Sequence, residues 1–264
     1  LVGAAMDDEV LLVGEEHDDM VGHAIEAEIL DLVAASILPT PGRRIVLSLE
    51  MFERDVQYIV DEYLEDLISE DHFLRSTRPW DDYEARYRPL VELAKAQGMP
   101  VVAANAPRRY VSRVTRHGPE SLSALPETAR RFLPPLPYPG PSPAYQAQWN
   151  AIMEEAMAGY EGGAEGRAYS VNPNTIWSQA LWDASMGHAI SEALVSHVGG
   201  FVVHFAGSFH VEKGTGILER ISDYRPGTRV TTVVMTKVDD VEAWSRDEHG
   251  PLADFVVLTK KPDA

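Results

Sequence analysis

Two tetrapeptides of one form, Gly14-Glu15-Glu16-His17 and Gly207-Ser208-Phe209-His210, each stand at the end of a short apolar run. Chance also supplies this G-x-x-H spacing: 19 Gly and 9 His in 264 residues predict about 0.65 occurrences. Placement therefore carries more weight than number. Glu50 follows the run Ile45–Leu49, and Asn105 follows Val101–Ala104. Two imidazoles and a carboxylate, His17, His210 and Glu50, are the minimum for a catalytic metal site with open positions, and Glu15 adds a further ligand. The same trio equally suits general acid–base work, with Glu50 holding a histidine in one tautomer. The plainest alternative is a His–carboxylate hydrogen bond that only satisfies both groups. The glycine of each loop is expected to turn the backbone sharply with positive φ, so that the histidine reaches back over the strand ends.

Something must bring these groups to one place. The runs Val10–Val13, Ile45–Leu49, Val101–Ala104, Phe201–Ala206, Val230–Met235 and Phe255–Leu258 are mostly Val/Ile-rich without strict alternation, as strands covered on both faces should be. Between them lie stripes of helical period, such as Val56, Ile59, Val60, Tyr63, Leu64 and Leu67, and Tyr83, Tyr87, Leu90, Val91 and Ala94. This alternation predicts an α/β fold with a mostly parallel central sheet flanked by helices. In such sheets the binding crevice lies outside the carboxyl ends of the strands, where all four chemistry-bearing positions fall. The last two runs lie close together in sequence, and an antiparallel edge is expected there.

The middle of the chain departs from this pattern. Eight of the 18 prolines fall in Pro119–Pro143, which excludes a continuous helix or a central strand. Helical pattern resumes at Ala144–Ala158, pauses at the Gly-rich Gly159–Gly166 and returns from Pro173 to His197. Residues of about 107–197 thus read as a mainly helical excursion that caps the strand ends, within one domain spanning 1–264.

Composition limits the function classes. With 23 Lys+Arg against 41 Asp+Glu the net charge is −18, which repels phosphate backbones and anionic membrane surfaces. Nucleic acid is not an expected partner. The absence of cysteine removes disulfides, thiolate nucleophiles, Cys-ligated zinc and iron–sulfur clusters. No run approaches the ~18 apolar residues of a membrane span. The chain opens at Leu1, as it would after loss of a signal peptide or after trimming. Gly214-Thr-Gly216 lacks the third glycine of a dinucleotide loop, and neither G-x-x-x-x-G-K nor H-E-x-x-H occurs.

Other groups are weaker candidates. His23 opens the helix after the first histidine loop, where it faces the site or packs. Gln179, Asp183 and Met186 recur on one face of a helix and read as a buried face with one polar anchor. Arg54 and Gln57 follow Glu50, and either line the crevice or meet solvent.

Several blocks together resemble the ChaN-like haem-binding lipoproteins. They are Leu12-Val-Gly14-Glu-Glu-His17-Asp, Leu49-Glu50-Met-Phe-Glu-Arg54-Asp-Val-Gln57, Trp80-Asp-Asp-Tyr83 with Tyr87-Arg-Pro-Leu, and Val101-Val-Ala-Ala-Asn105-Ala-Pro. Gln179-Ala-Leu-Trp182-Asp183-Ala-Ser-Met186 and Gly207-Ser-Phe-His210-Val-Glu-Lys-Gly214-Thr-Gly216-Ile complete the set, which runs in order through nearly the whole chain. Ser191–His197 and the proline-rich stretch depart from the pattern, and Tyr160 stands where many relatives carry His. The wider group includes erythromycin esterases and Tiki-like metallopeptidases, which share paired G-x-x-H motifs and a glutamate.

The resemblance implies an α/β fold and divides the function. Its haem branch implies an exported, lipid-anchored protein of the cell envelope that takes part in iron or haem acquisition, a cytoplasmic location being the alternative. Haem would bind near a subunit interface, so a homodimer is implied, through an oxygen or nitrogen side chain. Tyr160 and Tyr169 are the candidate ligands, with Tyr145 and His188 in reserve. The enzyme branch implies a metal-dependent hydrolase, a peptidase or esterase, in which Mn, Co, Zn or Fe held by His17, His210, Glu50 and Glu15 activates a water. A third reading is an interaction protein with a vestigial crevice. Glu15, Glu16, Asp18, Asp19 and Glu50 are expected to gather at the crevice and favour a cation there. Haem propionates would then lie on the helical excursion, near Arg108, Arg109, Arg130, Arg131 and Arg167.

Overall fold

The computed structural model describes residues 1–158 and 172–262, the side chains of 156–158 excepted. Six strands form one sheet: β1 Val10–Glu15, β2 Arg44–Glu53, β3 Val101–Asn105, β4 Gly200–Gly207, β5 Val230–Val238 and β6 Phe255–Lys260. Each contains the apolar run expected of it. Their order is β3-β2-β4-β1-β5-β6, and every pairing is parallel.

The expected antiparallel edge is corrected by this result. β6 lies parallel to β5, with Val233 opposite Phe255 and Val238 opposite Lys260. The polar stretch between them holds a short helix, Arg246–His249, and is long enough for a crossover rather than a hairpin turn.

Both faces of the sheet are covered, which accounts for its unalternating sequence. One face packs Leu11, Val13, Leu47, Phe205 and Val233 against the helices Met20–Ile37, Gln57–Leu64 and Arg88–Gln97. The other packs Val10, Leu12, Val46, Val202 and Val234 against Met186, Ile190 and Leu194 of the helix Thr175–Ser196, and Ile217 and Ile221 of Ile217–Tyr224. The described parts of residues 107–197 are mainly helical, and they serve different ends. The helix Pro143–Ala158 lies over the end of β4, where the Gln148 amide donates to the Phe209 carbonyl at 3.2 Å. The helix Thr175–Ser196 covers the sheet itself, and Ser185 donates to the Ala104 carbonyl at 2.9 Å.

β3 is an edge strand, and its outer side is closed by a side chain. The Gln57 amide donates to the Val101 carbonyl at 2.8 Å and its oxygen accepts from the Ala103 amide at 2.7 Å. This substitutes for a neighbouring strand.

Candidate functional site at the strand ends

β1 and β4 are neighbours, with Gly14 opposite Ala206 and Glu15 opposite Gly207, so the two histidine loops leave the sheet side by side. β2 flanks β4 on its other side with Leu49 opposite Phe205, which puts Glu50 next to the same ends. The glycines act differently from the expectation. Neither Gly14 nor Gly207 has positive φ; each instead permits close approach, most tightly at Gly14. A Cβ on Gly14 would come within 2.9 Å of Ser208 Cα. One on Gly207 would lie 3.1 Å from His17 Cε1, 3.3 Å from His17 Nε2 and 3.7 Å from Glu50 Oε2. The imidazole edge and the carboxylate thus converge over bare backbone.

Each histidine has its own carboxylate. His17 Nδ1–H donates to Glu15 Oε1 at 2.5 Å, and that oxygen also accepts from the Tyr87 hydroxyl at 3.3 Å. Glu15 is buried, whereas the His17 side chain is 52% exposed and meets Trp80 edge-on at 4.7 Å. His210 Nδ1–H donates to Asp183 Oδ1 at 2.7 Å. Its Nε2 faces Glu50 Oε1 across 3.7 Å, too far for a hydrogen bond. The other Glu50 oxygen accepts from the Gly207 amide at 2.8 Å. Asp183 therefore orients His210, a role expected for Glu50, and the Gln179–Asp183–Met186 face does carry one polar anchor.

Electrostatics separate the two pairs. Burial opposes charge on His210, but the carboxylates of Asp183 and Glu50 outweigh it and raise the imidazole to about 9. His17 is also raised, first by its hydrogen bond to Glu15, against its partial burial. His204, fully buried beside Ser48 at 2.8 Å, is pushed down to about 3 by burial and by the charge of His210. Glu26 is pushed up to about 7 by burial, partly offset by His23.

Among the described residues no three His, Asp or Glu side chains stand together as a ligand set. Glu15 is taken up by His17 and Tyr87, while the Nδ1–carboxylate bonds of His17 and His210 leave both Nε2 atoms free, as they are in a histidine that ligates a metal. The expected acidic gathering is corrected. Glu16 accepts from the Lys237 amide at 2.8 Å and Asp18 pairs with Lys237 Nζ at 2.6 Å. Asp19 caps the helix Met20–Ile37 and accepts from Thr259. Only Glu15 and Glu50 of the five serve the site.

Other candidates lie elsewhere. Asn105 is buried at the end of β3, its oxygen without a hydrogen-bond partner and unconnected to either histidine. Tyr145 is buried against Phe209, its hydroxyl near the Asp183 carboxylate without a well-formed hydrogen bond. His188 contacts Arg54 at 3.3 Å and Glu192 at 3.2 Å, and its ring meets Tyr224 edge-on. Arg54 itself binds Glu192, and Gln57 is used on β3. Arg109 pairs with Asp55 at 2.6 Å and Arg131 lies over Phe132, while Arg108 and Arg130 are exposed. Tyr160, Tyr169 and Arg167 lie outside the described residues. A groove of about 580 Å³ bordered by Glu9, Arg43, Val198 and Arg229 opens at the opposite end of the sheet, away from this chemistry.

Comparison with known proteins follows the same architecture. The chain is similar to the solved structure of ChaN of Campylobacter jejuni with cofacial haem bound, at 17% identity and TM-score 0.66, covering 89% of this chain and 84% of that one. At that identity the likeness speaks for the fold. The structure of the type III effector HopBA1 aligns at 16% identity and TM-score 0.48, covering 99% of this chain and 92% of that one. No match was found among curated proteins. Residues 1–221 match the sequence model of one family, and on that match, over most of its length, the chain belongs to the family described as haem-binding uptake, Tiki superfamily, ChaN.

Proposed function

We propose that this chain binds haem, in the service of iron or haem acquisition at the cell envelope. The family match over residues 1–221 carries the reading. Bound haem would bring a ferric centre that takes an oxygen or nitrogen side chain as axial ligand. The donor set narrows the choice among this chain's residues. Tyr145 is only 2% exposed and His188 is engaged with Arg54 and Glu192, so Tyr160 or Tyr169 is the ligand proposed. Arg108 and Arg130, exposed and without an acidic partner among the described residues, suit the propionates. In the same reading a lipid anchor upstream of Leu1 holds the protein at the membrane; among the described residues no helix is long and apolar enough to cross one. A homodimer about the haem belongs to the same reading. Hemin titrated into the purified chain should give a Soret shift that saturates, and Tyr160→Phe or Tyr169→Phe should weaken it at least tenfold. A linear, non-saturating titration would sink the reading.

A second reading rests on the strand ends. The pairs Glu15–His17 and Asp183–His210 flank Glu50, each imidazole oriented through Nδ1 so that Nε2 faces the crevice. This arrangement suits an acid–base centre for hydrolysis of an ester or peptide. Hydrolysis of a panel of model esters and peptides is expected to disappear in His210→Gln. Activity of wild-type size in that variant would contradict it.

A further inference from the structure

Beneath the His17 loop lie two buried ionisable side chains that neither reading uses. His23 and Glu26 sit one turn apart at the start of the helix Met20–Ile37, 2% and 0% exposed. His23 Nε2–H donates to the His17 carbonyl at 3.1 Å, since a carbonyl oxygen can only accept. That fixes the ring, whose Nδ1 then meets Glu26 Oε2 at 2.7 Å. This contact requires a proton between them: Nδ1–H donates to the carboxylate, or the Glu26 acid O–H donates to Nδ1. The ring stands edge-on to Tyr87, centroids 5.1 Å apart. Tyr87 donates to the same Glu15 oxygen that accepts from His17. His17 is thus held twice, its main chain by His23 and its imidazole by Glu15. For core stability alone, an apolar pair of similar volume would serve at least as well, because taking these groups out of water is costly.

We propose that His23 and Glu26 are positioning residues of the strand-end site: a buried hydrogen-bond chain from Glu26 through His23 to the His17 carbonyl keeps the His17 imidazole on Glu15 and its free edge against Gly207. The functional meaning of this chain rests on the acid–base reading, while the hydrogen bonds themselves stand on the geometry. Sequence spacing alone gives no sign of it, since an i, i+3 pair on an amphipathic helix is ordinary.

The test is NMR of the full chain with ¹⁵N-labelled histidine, compared between wild type, His23→Leu and His23→Gln. Wild type should show His17 as one sharp set of ring signals with Nδ1 protonated. His23→Leu should replace it with a tautomer-averaged or split set, leaving the His210 signals in place. His23→Gln, whose amide N–H can still reach the His17 carbonyl, should restore the wild-type pattern. An unchanged His17 pattern in folded His23→Leu overturns the proposal. Should that variant not fold, Glu26→Leu, which keeps the His23–His17 bond but removes its brace, is read in the same way. Neither substrate nor haem enters this measurement, so its failure is distinguishable from loss of hydrolysis.

Discussion

The two histidine loops start from the same motif on adjacent parallel strands and end in opposite environments. His210 is sealed, its side chain 8% exposed, between Asp183 and Glu50; His17 is 52% exposed over a buried Glu15. The difference follows from what crosses each loop. The helices Pro143–Ala158 and Thr175–Ser196 close over the β4 end through Gln148, Trp182 and Phe209, whereas Trp80 covers only one side of His17. Equal motifs therefore yield a fixed internal cation and an accessible imidazole. The motif supplies the histidine, and the packing around it decides what the histidine can do.

This contrast is open to direct challenge. The largest effect is expected from removing each carboxylate. Asp183→Ala strands a buried imidazolium and should cost on the order of 3–5 kcal/mol in denaturant unfolding. Glu15→Ala should cost only about 1–2 kcal/mol, because His17 can turn to water and chiefly the Tyr87 hydroxyl loses its partner. Equal losses would mean that burial does not distinguish the two pairs.

A smaller effect is expected from pH. The folded chain keeps His210 protonated up to about 9, while the unfolded chain releases the proton near the ordinary value of 6.5. Its contribution is therefore complete below pH 6.5 and is lost as pH rises through 9, roughly 3 kcal/mol in all. Glu26, raised from 4.5 to about 7, has the same sign over a lower window. His204, depressed from 6.5 to about 3, has the opposite sign and is lost as pH falls towards 3. Melting temperatures measured from pH 5 to 10 should decline on the alkaline side, and His210→Gln should flatten the limb between 6.5 and 9. An alkaline limb of wild-type slope in that variant would remove His210 as its source.

The strands and their chemistry-bearing ends were legible in the sequence because both depend on local pattern: apolar runs, then His17, Glu50 and His210. What was not legible depends on contacts between distant segments. Asp183 stood out as a polar anchor on an apolar helix, but nothing local shows that it meets His210. Glu16 and Asp18 sit beside Glu15 in sequence, yet one-residue alternation along the chain sends Glu15 inward and leaves the others to Lys237. The glycines are visible in the sequence but their purpose is not, since the crowding at Gly14 and Gly207 comes from Ser208 and His17 rather than from their own φ. At β6, closeness in sequence suggests a hairpin, but the intervening stretch crosses over and the strand lies parallel to β5.

The Gln57 clamp on β3 has a consequence for life at high concentration. An uncovered edge strand is a template on which other chains can stack, and here the exposed ladder at one end of the sheet is already occupied at Val101 and Ala103. Sheet-to-sheet growth through that margin is blocked by a single amide. A chain whose strands are apolar and all parallel, a kind prone to sticking while it folds, thus carries a stopper against fibril-like addition on its β3 side.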